Sequence, residues 1–238
     1  MFNILDIIIV LFILMFGIIG SKRGIIKEGV SLVGMVLIFV ISSIFSNNLG
    51  NFLCKYMPYF SFTGNIKGLV VLNVLIYKII AFFIVFFVLL GIYHLVMFFT
   101  KLLQKIVDST IILSIPSSIC GFIIGMVRGF IIILLILIAL MVPFKDDDVY
   151  NGSKLKNFIL YKTPLVSINI GTYTSGISDA FELGEKIASK KISTNEANLE
   201  LATNLIKLKV IDKHTMDQLI VLDKFKSVKG IEKIVGNY

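Results

Sequence analysis

Two glycine–arginine elements carry the polar chemistry of an otherwise apolar sequence: Gly20-x-x-Arg23-Gly24 and Gly125-x-x-Arg128-Gly129. Each has a further glycine about one turn earlier, Gly17 and Gly121, and Glu28 follows the first element. Residues three or four apart share a helix face. The spacing therefore predicts two stripes, Gly17–Gly20–Gly24–Glu28 and Gly121–Gly125–Gly129. Stripes of small residues let membrane helices approach backbone to backbone, because lipid gives helices no hydrophobic reason to associate. The functional alternative is the wall of a cavity or path. Arg128 stands inside an apolar run, where a central arginine costs about 2.5–3.5 kcal/mol on the insertion scale. No acid lies within four residues of it. Its partner must come from another helix, from water or from a headgroup, with Glu28 the first choice and Asp6 the second. Snorkelling to the interface is the simpler account to set against a specific pair.

Other chemistry has little to work with. His94 is one of two histidines and sits in an apolar run, where packing or a hydrogen bond is the expectation rather than catalysis. Ser117 and Ser118 could act as nucleophiles only if His94 met them as a base. No second intramembrane Asp exists to form a dyad with Asp6. GxxxG in an apolar span is a packing pattern, not a phosphate-binding loop. Cys54 and Cys120 are far apart and make no CxxC or Cys/His spacing, so a zinc site is not expected. The KDDD run at 145–148 reads as a solvated juncture. No catalytic residue, cofactor or metal is expected.

The elements that must position these residues are membrane spans. The chain has 57% hydrophobic residues and a mean hydropathy of +0.94, beyond the roughly 45–50% apolar content of soluble domains. Of 23 Lys/Arg, nine lie in residues 1–143, and of 15 acids only Asp6, Glu28 and Asp108 do. Charge thus concentrates after Pro143. The net charge of +8 lies mostly beside apolar spans, which points to anionic headgroups and topology rather than nucleic acid. A span needs about 20 apolar residues. Four stretches qualify: Ile4 to about Ser21, about Ile25 to Ser46, Ile79–Thr100 with a start as early as Leu69, and about Ile119–Pro143. Arg128 then lies roughly 13 Å into the fourth. Residues 47–68, with Asn, Gly and Pro58, read as a loop. Residues 101–110, with Leu102, Leu103, Ile106 and Val107 at helical spacing, read as an extension of the third helix or a surface helix.

The first span reads as uncleaved rather than as a signal peptide, because Asp6 precedes its core while Lys22, Arg23 and Lys27 follow it. Those three cations, with Lys101 and Lys105, are dense in the first and third connections, which predicts those loops inside and both termini outside. In the tail, Ser193-Thr194-Asn195-Glu196 is a capping box. It opens a helix of about Thr194–Lys209 with Leu199, Ala202 and Ile206 along one face. Gly171, Gly176 and Gly184 weaken the helical reading of residues 168–191. A core within the tail alone would be marginal at this size, so packing on the spans is equally expected.

The order of these features resembles the colicin V production protein (CvpA) family: Asp6 near the start of the first span, Arg23-Gly24, Glu28, then Gly121, Gly125 and Arg128-Gly129 before the last apolar run. The resemblance covers about residues 1–143. Family members commonly carry an Asp four residues before the first glycine of the second element, where this chain has Ser117 behind Pro116. The resemblance implies a multi-pass protein of the bacterial plasma membrane, tied by name to toxin biosynthesis, the production or export of a peptide toxin. Some relatives carry a trypsin-like protease domain outside the cytoplasm after the spans, which agrees with an outward C-terminus. The tail here has no Gly-x-Ser-x-Gly pattern, so no protease activity carries over.

The expected fold class is all-α: a polytopic helical membrane protein with four transmembrane helices and a small helical C-terminal tail. It divides into a membrane domain, 1–143, and a soluble tail, 144–238. The expected role is accessory or structural, in toxin production and export or in envelope homeostasis, and not enzymatic. The alternatives are a small-solute channel or transporter using the Gly/Arg repeat as a pathway, and an intramembrane hydrolase using His94. Expected partners are the lipid bilayer and a second copy or another membrane protein, with no nucleic acid.

Overall fold

The computed structural model describes residues 3–104, 115–144, 147–162 and 170–236, and among these it is all helical. Three long apolar helices come first: α1 Ile4–Tyr56, α2 Leu72–Gln104 and α3 Ile115–Leu140. They are followed by α4 Asp148–Asn151, α5 Lys154–Tyr161, α6 Ile170–Ala188, α7 Thr194–Lys207, α8 Lys213–Val221 and α9 Glu232–Val235. α1, the Leu72–Phe98 part of α2 and the Ser117–Leu140 part of α3 are each long and apolar enough to cross a membrane. Their outer faces carry large apolar side chains such as Leu11, Ile26, Ile44, Phe87, Leu95 and Ile119. A soluble protein rarely exposes so much contiguous apolar surface, and a lipid environment makes it favourable.

The described residues group into two compact units, Met1–Ser42 with Phe86–Thr163, and Ser43–Val85 with Pro164–Tyr238. This line differs from the compositional one drawn at residue 143. In the first unit α5 packs on α3, and the Tyr150 hydroxyl donates to the Leu137 carbonyl. In the second unit α6 packs on α7 and on the short turn Gly64–Ile66. Two of the tail glycines mark close approaches there. A Cβ on Gly176 would meet Leu205 and Leu75 at 3.1 Å, and one on Gly184 would lie 2.8 Å from the Asn65 carbonyl oxygen. Residues 170–236 thus share a core with residues 43–85, through buried Leu69, Leu72, Leu75, Ile177, Leu183 and Leu201.

The capping box forms as expected: Ser193 Oγ accepts from Glu196 N, and Glu196 Oε2 accepts from Ser193 N at 2.8 Å. The helix it opens ends at Lys207, and its buried face is Ala197, Asn198, Leu201, Ala202 and Leu205. Leu199 and Ile206 are only half-buried. The rotation has a physical cause: Asn198 accepts from Val71 N at 3.1 Å and donates to the Gly68 carbonyl at 2.9 Å, which turns its side of α7 inward.

Two further boundaries differ from expectation. α1 continues through the expected loop to Tyr56. Asn47 and Asn51 lie one turn apart, and instead of making turn bonds they take the ammonium of Lys78, which has 0% exposure. Gly50 permits the approach, since a Cβ there would lie 2.6 Å from Lys78 Cδ. α1 stops just before Pro58, consistent with the restriction proline places on the preceding residue. α3 begins at Ile115 rather than near Ile119, so Arg128 lies about 20 Å along it, near its middle. α2 reaches Gln104. The rest of the expected 101–110 extension, with Ile106, Val107 and Lys105, lies outside the described residues, as do Lys145 and Asp146 of the KDDD run.

Candidate functional site

The site grows from a break in α1. Gly24 has φ 74° and ψ 169°, outside the helical region, so Ile4–Arg23 and Ile25–Tyr56 are two helical arms joined at one residue. Glycine tolerates this conformation because it lacks a Cβ. A break leaves carbonyls unpaired on one side and N–H groups on the other. Ser117 Oγ accepts from Ile25 N at 3.0 Å, and so caps the second arm from another helix. Ser118 donates to the Ser21 carbonyl at 3.0 Å and pairs with the Ser21 hydroxyl at 2.7 Å. Charge follows the two helix ends: Lys22 and Arg23 end the first arm, and Glu28 lies in the first turn of the second. The expected single stripe from Gly17 to Glu28 is therefore interrupted, because Gly24 is a hinge and not a helical position.

The two glycine elements pack against each other. A Cβ on Gly20 would collide with the Gly121 carbonyl oxygen and lie 2.9 Å from Gly125 Cα. One on Gly121 would strike the Gly20 carbonyl, and one on Gly125 the Phe16 carbonyl. At the margins, a Cβ on Gly17 would lie 2.7 Å from the Phe122 ring and one on Gly129 2.7 Å from Phe16 Cβ. The arm Ile4–Arg23 and α3 thus cross with their backbones in contact.

This crossing brings Arg128 to Glu28. Arg128 Nη1 lies 2.9 Å from Glu28 Oε1, with side-chain exposures of 9% and 0%. The distance is that of an ion pair, without the alignment of a hydrogen bond. Arg23 Nη1 stands 3.7 Å from the other carboxylate oxygen and is half exposed. The Arg128 guanidinium also lies over the Phe16 ring, 5.2 Å from its centroid, a cation–π contact. Beside this cluster is a cavity of about 270 Å³, whose polar lining is Arg23, Ser31, Tyr93, His94 and Arg128.

Asp6, the second-choice partner, is elsewhere. It accepts from Ser153 Oγ and, at 3.0 Å, from Leu155 N, and so holds the start of α5. The remaining residues of the expected motif, Gly20, Arg23, Gly24, Glu28, Gly121, Gly125, Arg128 and Gly129, meet at or beside the crossing. His94 Nδ1 pairs with the Leu90 carbonyl at 2.8 Å, while Ser117 and Ser118 are engaged with the first arm of α1 and the hinge. Among the described residues no group of His, Cys, Asp or Glu is arranged to hold a metal ion. Phe16, Ser31 and Tyr93 were not legible as site residues. Phe16 is one aromatic among twenty phenylalanines, and Tyr93 could be found only as a hydroxyl beside His94 in an apolar run. Buried Lys78, a second cation within a helix long and apolar enough to cross a membrane, carried the same signal as Arg128 and lies in the other unit.

The family model for colicin V production protein matches residues 5–164. No curated protein matches the chain, and no solved structure does. The match takes in both glycine–arginine elements, the hinge and the helix that pairs with it, and more than half of the sequence. This chain therefore belongs to the colicin V production protein family.

Proposed function

We propose that this protein is a non-enzymatic, four-span protein of the bacterial plasma membrane with an accessory, structural role in producing or exporting a peptide toxin, or in keeping the envelope intact. The observation that carries the structural role is the glycine crossing locked by the Arg128–Glu28 pair. Backbones in contact leave no path between those helices, and the buried charges fix one arrangement. Four spans are supported by the hinge. Phe16 and Glu28 both reach Arg128, yet a straight helix would hold them roughly 18 Å apart. A bend at Gly24, where the backbone leaves the helical region, accounts for both contacts, and each arm is long enough to cross by itself. An inward hinge, with both termini outside, is supported by Lys22, Arg23 and Lys27 around it. The toxin role rests on the family alone.

Deleting the gene in a toxin-secreting host should lower released peptide toxin while the cell-associated toxin persists, or raise envelope permeability to a small dye. Wild type should restore both, and Gly125→Leu should not. Unchanged release and unchanged permeability would reject the role. The 270 Å³ cavity with two arginines favours a second reading, a small-solute transporter. Solute flux into liposomes holding the purified protein separates the two.

A further inference from the structure

The cavity of the first unit has a charge arrangement that the helix crossing does not use up. Two guanidinium groups, Arg23 and Arg128, share one carboxylate, Glu28. The cluster therefore keeps one positive charge, and no acid lines the cavity. Arg128 is more than nine-tenths buried, and its Nε lines up with no hydrogen-bond partner. The Tyr93 hydroxyl, also buried and also on the lining, has none either. Buried donors without partners are uncommon in native proteins, and although the Glu28 oxygens beside Arg128 also lack an aligned hydrogen bond, the Arg128 Nε and the Tyr93 hydroxyl keep donor capacity on a cavity that Glu28 does not line. Much of the remaining lining is apolar: Phe16, Met35, Ile38, Leu90 and Ile132.

We propose that this cavity binds a small amphiphilic oxyanion, its carboxylate or phosphate head held by Arg128, Arg23 and Tyr93 and its short apolar tail against Met35, Ile38, Leu90 and Ile132. Guanidinium groups suit planar oxyanions because their donors form a fixed fork. Apolar walls with a few convergent polar groups are the usual make-up of a small-molecule site. The ligand source is either a free short-chain carboxylate or the head of an anionic lipid, and both present the same chemistry. The proposal adds a ligand to the membrane unit and does not depend on a role in toxin export.

The test uses the full chain in a neutral detergent, with thermal unfolding followed by circular dichroism. Sodium hexanoate should raise the melting temperature saturably, because a ligand that binds only the folded state stabilises it by mass action. Hexylammonium chloride, with the same tail and opposite charge, should not. Arg23→Gln removes a half-exposed side chain and should leave the unliganded protein folded, while raising the half-saturating hexanoate concentration about tenfold. Tyr93→Phe should raise it about threefold or more. A second arm replaces hexanoate with phosphatidylglycerol or phosphatidylethanolamine. Stabilisation by phosphatidylglycerol alone, lost in Arg23→Gln, assigns the oxyanion to a lipid head. Equal shifts from hexanoate and hexylammonium, equal binding by both variants and wild type, or no shift from hexanoate or phosphatidylglycerol would each overturn the proposal.

Discussion

Truncating Glu28 should destabilise this protein more than truncating Arg128, although the two residues form one pair. The side chains are 0% and 9% exposed, so both charges are desolvated, and removing one partner of such a pair costs about 3–5 kcal/mol. The two deletions differ in what they leave behind. Glu28→Ala leaves Arg128 near the middle of a 26-residue apolar helix, over the Phe16 ring and without its carboxylate, and the cost should fall at the upper end of that range. Arg128→Ala leaves Glu28 with Arg23 Nη1 at 3.7 Å. Arg23 is half exposed, so this second contact recovers only about 0.2–1 kcal/mol, and the cost should fall near the lower end. The double variant removes both charges and leaves a cavity. It should cost about 2–3 kcal/mol less than the sum of the singles, within the range measured for contacting residues. The measurement is denaturant unfolding in mixed micelles, with the loss of helical circular dichroism fitted for all four proteins. Additivity within about 0.5 kcal/mol would mean that the residues act independently. Arg128→Ala costing as much as Glu28→Ala would refute the compensating role of Arg23.

Gly125→Leu should unfold the crossing or lower its thermal midpoint sharply, because its Cβ would strike the Phe16 carbonyl and have Gly20 Cα at 3.1 Å, both backbone atoms that cannot step aside; Gly91→Leu, where a Cβ would meet open space, should change little. The C-terminal tail should lie outside, so in a Cys120→Ser background Lys191→Cys, at an exposed position clear of the Ser193 cap, should react with a membrane-impermeant thiol reagent in intact cells. Labelling only after lysis would reverse the orientation. At the capping box, the backbone and hydroxyl hydrogen bonds from Ser193 hold the Glu196 carboxyl below its usual value. A depressed folded-state pKa adds stability above the unfolded value and loses it as pH falls through the folded one. The stability advantage of wild type over Glu196→Gln should therefore be present near neutral pH and close in acid; a gap that does not change with pH would contradict this.

What the sequence determined by itself was local or one-dimensional. Apolar length sets where helices can cross a bilayer, and the Ser193–Glu196 spacing sets a cap, since both need only neighbours along the chain. The repeat of glycine and arginine predicted a close crossing, and the cost of a buried arginine required a partner. Glu28 and Asp6 were the acids nearest the spans, and the sequence ranked Glu28 first while leaving water or a headgroup as the alternative. Tertiary structure decided the rest. Gly24 looks like any stripe glycine in the sequence, and only the fold gives it φ 74° and makes it a hinge. Ser117, ninety-two positions from Ile25, caps the arm beyond that hinge. Asp6 is withdrawn from the contest for Arg128 because Ser153 and Leu155, nearly 150 positions away, satisfy it first. The loop expected from Asn47, Gly50 and Asn51 became helix because Lys78 arrived from α2 and turned those amides inward. In each case the deciding group lies on another element. Hydrogen-bond and charge satisfaction inside an apolar interior is settled by whichever groups the fold brings within about 3 Å, and sequence separation does not report that distance.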